Sequence, residues 1–83
     1  MKILYFAWLR LRIGIGEEDV VVPDTVVDVA DLIKWLKARG PGYAEALKDV
    51  SAIHVAVNQE FAEFETLIAQ ADEVALFPPM TGG

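Results

Sequence analysis

Thr25-Val26-Val27-Asp28-Val29-Ala30-Asp31-Leu32-Ile33-Lys34-Trp35-Leu36-Lys37-Ala38-Arg39-Gly40-Pro41 is the stretch that decides the fold. Val29, Leu32, Ile33 and Leu36 recur at helical spacing and form one apolar stripe. Thr25, with Asp28 three residues on, has the form of a capping-box start. Lys37 and Arg39 suit the negative end of the helix dipole, Gly40 suits the position just past a helix, and Pro41 prevents continuation. The stripe predicts an amphipathic helix with one face to bury. The segments on either side must supply the surface that covers it.

Outward toward the N-terminus, residues 2–9 read Lys-Ile-Leu-Tyr-Phe-Ala-Trp-Leu, a β-branched and aromatic run that predicts a strand. Ile3, Tyr5, Ala7 and Leu9 would face one way and Leu4, Phe6 and Trp8 the other. A secretory leader is not expected, because Arg10 and Arg12 stand where small residues would be needed for cleavage. Residues 11–16 read as irregular, broken by Gly14 and Gly16. Residues 17–22 read as a second strand, paired with the first as a hairpin and stopped by Pro23-Asp24. Toward the C-terminus, Gly42 opens a shorter helical piece over residues 43–49. Residues 53–57 alternate as a strand, Asn58-Gln59 is turn-like, and 60–63 form a short return strand. Residues 67–70 read as a turn or 3₁₀ piece. Residues 72–77 form a last strand, ended by Pro78-Pro79.

This order predicts an α+β chain, a β-grasp (ubiquitin-like) roll with a mixed sheet of about five strands and one main helix packed on one face. The domain would span residues 1–77, with 78–83 as an extended, flexible tail ending in Gly-Gly. The first and last strands would lie side by side at the centre. The uncovered face would carry Leu4, Phe6, Trp8, Ala75 and Phe77.

Composition narrows what such a domain can do. Its 83 residues and 9.1 kDa suit one small domain. With no Cys and one His, neither a disulfide framework, a thiolate metal cluster, a catalytic thiol nor a multi-histidine metal site is available. A net charge of −6 argues against nucleic acid or a polybasic membrane anchor as partner. No apolar run approaches the ~18 residues of a membrane span. Yet 54% of residues are hydrophobic before six glycines are counted, above the usual ~45–50% that includes glycine. A small domain has little interior, so part of this apolar surface should serve a partner.

The end of the chain is the candidate for chemistry, with a frayed terminus as the plain alternative. Two terminal glycines arise by chance in about 0.5% of chains, from ~7% glycine usage squared. Pro78 and Pro79 stiffen the exit from the last strand, while Gly82 and Gly83 lack Cβ atoms and fit a narrow channel. Such a tail presents its own α-carboxylate to another protein's active site. That carboxylate, with a pKa of ~3.5, is ionised at neutral pH and a poor electrophile. It needs activation, most simply by transfer of AMP from ATP, after which the acyl adenylate can take sulfur as a thiocarboxylate. A chain without Cys has no persulfide site for the same cargo.

Asp72-Glu73-Val74-Ala75-Leu76-Phe77-Pro78-Pro79-Met80-Thr81-Gly82-Gly83 resembles the C-terminal signature of the molybdopterin synthase small-subunit family, sulfur carriers of molybdenum cofactor biosynthesis. The start Lys2-Ile3-Leu4-Tyr5-Phe6-Ala7 and the turn Val57-Asn58-Gln59-Glu60 are similar as well. Ala71, where the family usually has Gly, and the bulky Trp8 depart from the pattern. The resemblance implies that an E1-like adenylating enzyme activates Gly83 with ATP and Mg²⁺, and that a sulfur donor protein converts it to the thiocarboxylate. It further implies docking on the large, catalytic synthase subunit through Phe6, Phe61 and Phe77, in a heterotetramer. Pro78, Pro79, Met80, Thr81 and Gly82 would thread the active site, delivering sulfur to cyclic pyranopterin monophosphate. The carrier would then be a non-catalytic, sulfur-donating subunit that binds no cofactor or metal itself, and it would work in the cytoplasm. Other readings are a thiamine-type carrier, a ubiquitin-like protein modifier, or an interaction module with a passive tail.

Other residues read more plainly. Glu17, Glu18 and Asp19 suit a solvated hairpin or a basic partner surface. His54 suits a solvated or packed strand position, Trp35 either the edge of the core stripe or the helix surface, and Arg10 the surface. No acid–base or nucleophile constellation is visible.

Overall fold

The computed structural model describes residues 1–79. Strand β1 (Lys2–Tyr5) is followed by helix α1 (Ala7–Ile13), strand β2 (Glu17–Asp19), helix α2 (Val29–Lys37) and helix α3 (Pro41–Ala46). A 3₁₀ turn (Val50–Ala52) then leads to strands β3 (His54–Val57), β4 (Glu60–Ala62) and β5 (Glu73–Phe77). The five strands form one sheet in the order β2-β1-β5-β3-β4. The first and last strands are parallel at its centre, with Lys2 opposite Glu73 and Tyr5 opposite Leu76, and the other pairings are antiparallel. This is the α+β β-grasp architecture that the order of elements predicts.

The core is a single cluster. Ile3 and Tyr5 of β1, Val74 and Leu76 of β5 and Val55 of β3 point inward from the sheet. They meet Val29, Leu32, Ile33 and Leu36 of α2, the predicted stripe, and Leu9 of α1. Helix α3 packs on both α1 and α2, so the sheet is covered by three helices, of which α2 is the longest. Gly42 permits close packing there, since a Cβ would stand 3.1 Å from the Arg12 carbonyl oxygen.

The largest departure from the sequence reading lies at residues 6–13. The first strand ends at Tyr5, not at residue 9. Phe6 stays extended and donates its N–H to the Leu76 carbonyl at 3.2 Å, but Ala7 turns to φ 55° and α1 begins. The reason lies in the partner strand. Beyond Phe77 comes Pro78, which has no N–H to continue the ladder, so β1 runs out of partner. The next residues are good helix formers, closed by Gly14 at φ 98° with its N–H on the Arg10 carbonyl. Trp8 therefore leaves the sheet face for α1, where it packs against the core with the Arg12 guanidinium 4.8 Å above its ring. Ala7, expected inside, is exposed.

Smaller corrections follow the same logic. Helix α2 is capped by Asp28, not Thr25: its carboxylate accepts the Asp31 N–H at 2.8 Å, and Asp31 accepts the Val27 N–H at 3.2 Å. The residues before Asp28 are occupied elsewhere, for Val27 accepts a bond from Ile68 and Asp28 bridges to Leu67. Residues 67–70 are thus a bridging segment, and the 3₁₀ turn falls at Val50–Ala52. Pro41 does more than end α2. It opens α3 at the first helical position, where a missing N–H costs nothing.

Candidate functional site

The side of the sheet away from the helices is where a partner can dock. Cross-strand registry sets a row running from Glu17 through Leu4, Ala75 and Ala56 to Phe61. Beside it, His54 lies opposite Phe77, and Phe6 extends the β1–β5 ladder past Leu76 on the other flank of β5. Directly opposed residues share a face, so these side chains form one surface. Phe77 is the hub of its aromatic part. The Phe61 ring is tilted against it and the His54 ring stacks on it, each with centroids 6.0 Å apart.

Phe61 is 86% exposed and Phe6 48% exposed. Burying a Phe ring fully stabilises by roughly 1.5–3 kcal/mol, and folding takes little of that from Phe61. That hydrophobic free energy remains available to a partner. Phe6 also borders a groove of about 570 Å³, with Leu4, Ala7, Arg10, Ile15 and Glu17 around it. Trp8, expected on this face, is absent from it because α1 carries it away.

The surface is held by two polar clamps. Asn58 and Gln59 both adopt positive φ, 51° and 70°, forming the two-residue hairpin turn between β3 and β4 that presents Phe61. The Asn58 side chain donates to Asp72 at 3.0 Å and accepts from the Glu73 N–H at 3.0 Å, tying the turn to the start of β5. The Asn58 bond, together with the Ala69 N–H, holds the Asp72 carboxyl below its usual range.

The second clamp was not legible in sequence. Glu18 of β2 accepts hydrogen bonds from Tyr5 Oη at 2.7 Å, Tyr43 Oη at 2.7 Å and Arg39 at 2.8 Å. It joins β1, β2, the end of α2 and α3. Partial burial works to raise the Glu18 pKa, but the three donors outweigh it and hold the carboxyl below its usual value. Burial first, then the Glu18 carboxylate, push the Tyr5 hydroxyl up. Arg39 also lies over the Trp35 and Tyr43 rings, 5.1 and 5.0 Å from their centroids, which places Trp35 at the core's edge beneath a cation. Alternation alone marks Glu18 as inward-facing, the one signal that could have found it.

Strand β5 leads from this face into Pro78, half-buried, and Pro79, exposed. Met80, Thr81, Gly82 and Gly83 lie outside the described residues. Among the described residues, no group of three or more His, Asp or Glu is placed to hold a metal, and no helix is long and apolar enough to cross a membrane.

Comparison with known proteins agrees with this architecture. The chain matches the ThiS family over residues 3–83. It is 35% identical over 83 residues to the molybdopterin synthase sulfur carrier subunit of Escherichia coli (strain K12), covering 100% of this chain and 99% of that one. Among solved structures, the putative molybdopterin converting factor subunit 1 from Pyrococcus furiosus superposes with a TM-score of 0.76 at 30% identity, over 95% of each chain. SAMP1 from Haloferax volcanii gives 0.75 at 32% identity, over 100% of this chain and 98% of that one. A chain in the complex of subunits 1 and 2 of molybdopterin-converting factor from Helicobacter pylori shares the fold at 0.65 and 19% identity, over 99% of this chain and 96% of that one. With the fold, the whole-length match and the Gly-Gly end in agreement, the chain belongs to the ThiS family.

Proposed function

We propose that this protein is a sulfur carrier whose C-terminal Gly83 is adenylated and converted to a thiocarboxylate for molybdopterin synthesis. The observation that carries the reading is the Phe77-Pro78-Pro79…Gly82-Gly83 end on a chain similar over its whole length to a molybdopterin synthase sulfur carrier subunit. In the proposed activation the carboxylate attacks the α-phosphate of Mg²⁺-ATP, held by an E1-like enzyme, and pyrophosphate leaves. Hydrosulfide-level sulfur then adds to the acyl carbon, the C–O bond to AMP breaks with AMP leaving, and the thiocarboxylate remains after loss of the sulfur's proton. The folded domain supplies recognition. Phe6, Phe61 and Phe77 dock on the large synthase subunit, and residues 78–83 enter its active site. A neighbour of the same fold stands in a subunit 1–subunit 2 complex, which supports a large-subunit partner. ATP-dependent activation places the work in the cytoplasm.

The test is intact mass after incubation with an E1-like adenylating enzyme, ATP and a sulfur source, on the full chain and on a Gly83 deletion. A sulfur-for-oxygen gain on the full chain alone is expected, and no gain on either overturns the proposal. Adding the large subunit and pterin precursor tests the acceptor. A second reading, a protein modifier, draws on the likeness to a small archaeal modifier protein. It predicts instead an amide bond between Gly83 and lysines of other proteins.

A further inference from the structure

We infer that the pole opposite Phe77 carries a second docking surface, for a partner segment with an aliphatic ridge flanked by lysine or arginine. Strands β1 and β5 run parallel, so Met1 and Asp72 lie at one end of the sheet and Phe77 at the other. At the Met1 end, Val21 is 86% exposed, Leu67 75% and Val27 49%. Val27 and Leu67 line a groove of about 340 Å³ whose walls include Val22, Pro23, Val26 and Ile68, and Val21 precedes the wall residue Val22 in the chain. Valine and leucine side chains held in water give folding nothing, and their clustering at one place marks an interaction surface.

The loops that carry them are laced together. The Gln70 side-chain amide bonds both the N–H and the carbonyl of Val22. Ile68 donates to the Val27 carbonyl at 3.0 Å, Val29 to Thr66 at 3.1 Å, and Asp28 bridges to Leu67. The groove is therefore preformed, and binding there avoids much of the ordering cost of a loose loop.

Charge selects the occupant. Asp24 lines the groove, Asp28 sits across from Leu67, and Asp31 holds the Val27 N–H. Among the described residues, no Lys or Arg lines it. The one cation on its wall, the Met1 ammonium, is turned to the Val20 carbonyl at 2.8 Å. An apolar centre with an acidic rim is complementary to an aliphatic segment with basic flanks. A second copy would set the same carboxylates against each other, on a chain already at −6. Because the surface stands at the far end of β5 from Phe77, a partner seated there leaves the aromatic face and the Pro78–Pro79 exit uncovered. The carrier could then be held by one protein while another works on its terminus.

The experiment is a titration of the isotope-labelled full chain, followed by its amide NMR shifts. The probe is a synthetic 18-residue amphipathic helix of Leu and Lys, with a Leu/Glu counterpart of the same pattern. The Leu/Lys peptide should shift residues 21–27 and 67–70 and weaken as salt rises. It should lose about tenfold in affinity, roughly 1.4 kcal/mol, against the Val27→Ser/Leu67→Ser variant. Shifts confined to the Phe61–Phe77 face, no shifts, or equal binding of the Leu/Glu peptide would overturn the inference. So would pole shifts that instead track self-association of the free chain. If the double variant does not fold, the wild-type map and the contrast between peptides decide. The Gly83 deletion should bind the probe as the full chain does, so failure of the sulfur reading and failure of this one are separable.

Discussion

The two faces of the sheet are built from neighbouring residues and do opposite work. Ile3, Tyr5, Val74 and Leu76 alternate with Leu4, Phe6, Ala75 and Phe77, and a side chain's position along the strand decides which set it joins. Inward side chains are closed over by α1, α2 and α3, so their hydrophobic free energy goes into folding. Outward aromatics such as Phe61 and Phe6 leave theirs largely unused by folding, and the proposed docking draws on it. Stability and recognition are thus separable by substitution, although the residues are adjacent in sequence.

The strongest challenge to that separation is on the inner face. Leu76→Ala should cost about 2–5 kcal/mol in chemical denaturation, because the cavity is surrounded by fixed core residues. A loss below 1 kcal/mol would mean that the inner face is not the stability element. On the outer face, Phe61→Ala should leave stability within about 0.5 kcal/mol yet cost roughly 2 kcal/mol or more in binding to the large synthase subunit. Binding unchanged, or unfolding instead, would collapse the contrast.

Acid and base sharpen it through the Glu18 clamp. Glu18 and Asp72 have carboxyl pKa values lowered by folding. Their contribution is present above the unfolded value of ~4 and is lost as pH falls through the lower folded value. Tyr5 and Tyr43 are raised. Their contribution is present below ~10 and is lost as pH climbs above it. Glu18→Gln should remove part of the acid limb and cost about 1.5–3 kcal/mol at neutral pH, the usual worth of hydrogen bonds to a charged group. An unchanged stability–pH profile would show the clamp to be idle. The smallest effect belongs to the hairpin turn: Asn58→Ala should cost about 1 kcal/mol, from positive φ and the lost bond to Asp72. Hydrogen exchange should locate that loss at the β3–β4 turn and the start of β5.

Much of this was legible before any coordinates. The Val29-Leu32-Ile33-Leu36 stripe needs only 3.6-residue periodicity, and the alternation of 53–57 and 72–77 needs only a period of two. Phe61 sits on a strand of three residues, too short for alternation to fix its direction, and pairing with Ala56 sets it outward. The segment after Tyr5 misled because Phe, Ala, Trp and Leu fit a strand as well as a helix. Only the end of β5's ladder at Pro78 chooses between them.

By itself, the sequence determined which segments are helix and strand wherever the periodicity is local, and it carries the Gly-Gly pair on which the proposed chemistry rests. Those properties reside in neighbouring residues and in covalent structure. Tertiary structure decided where β1 stops, that Asp28 and not Thr25 caps α2, and that Glu18 gathers two tyrosines and an arginine. It also decided that Val27 and Leu67 meet at one groove. Each of these depends on what a residue far along the chain places beside it, and no spacing within the chain encodes that.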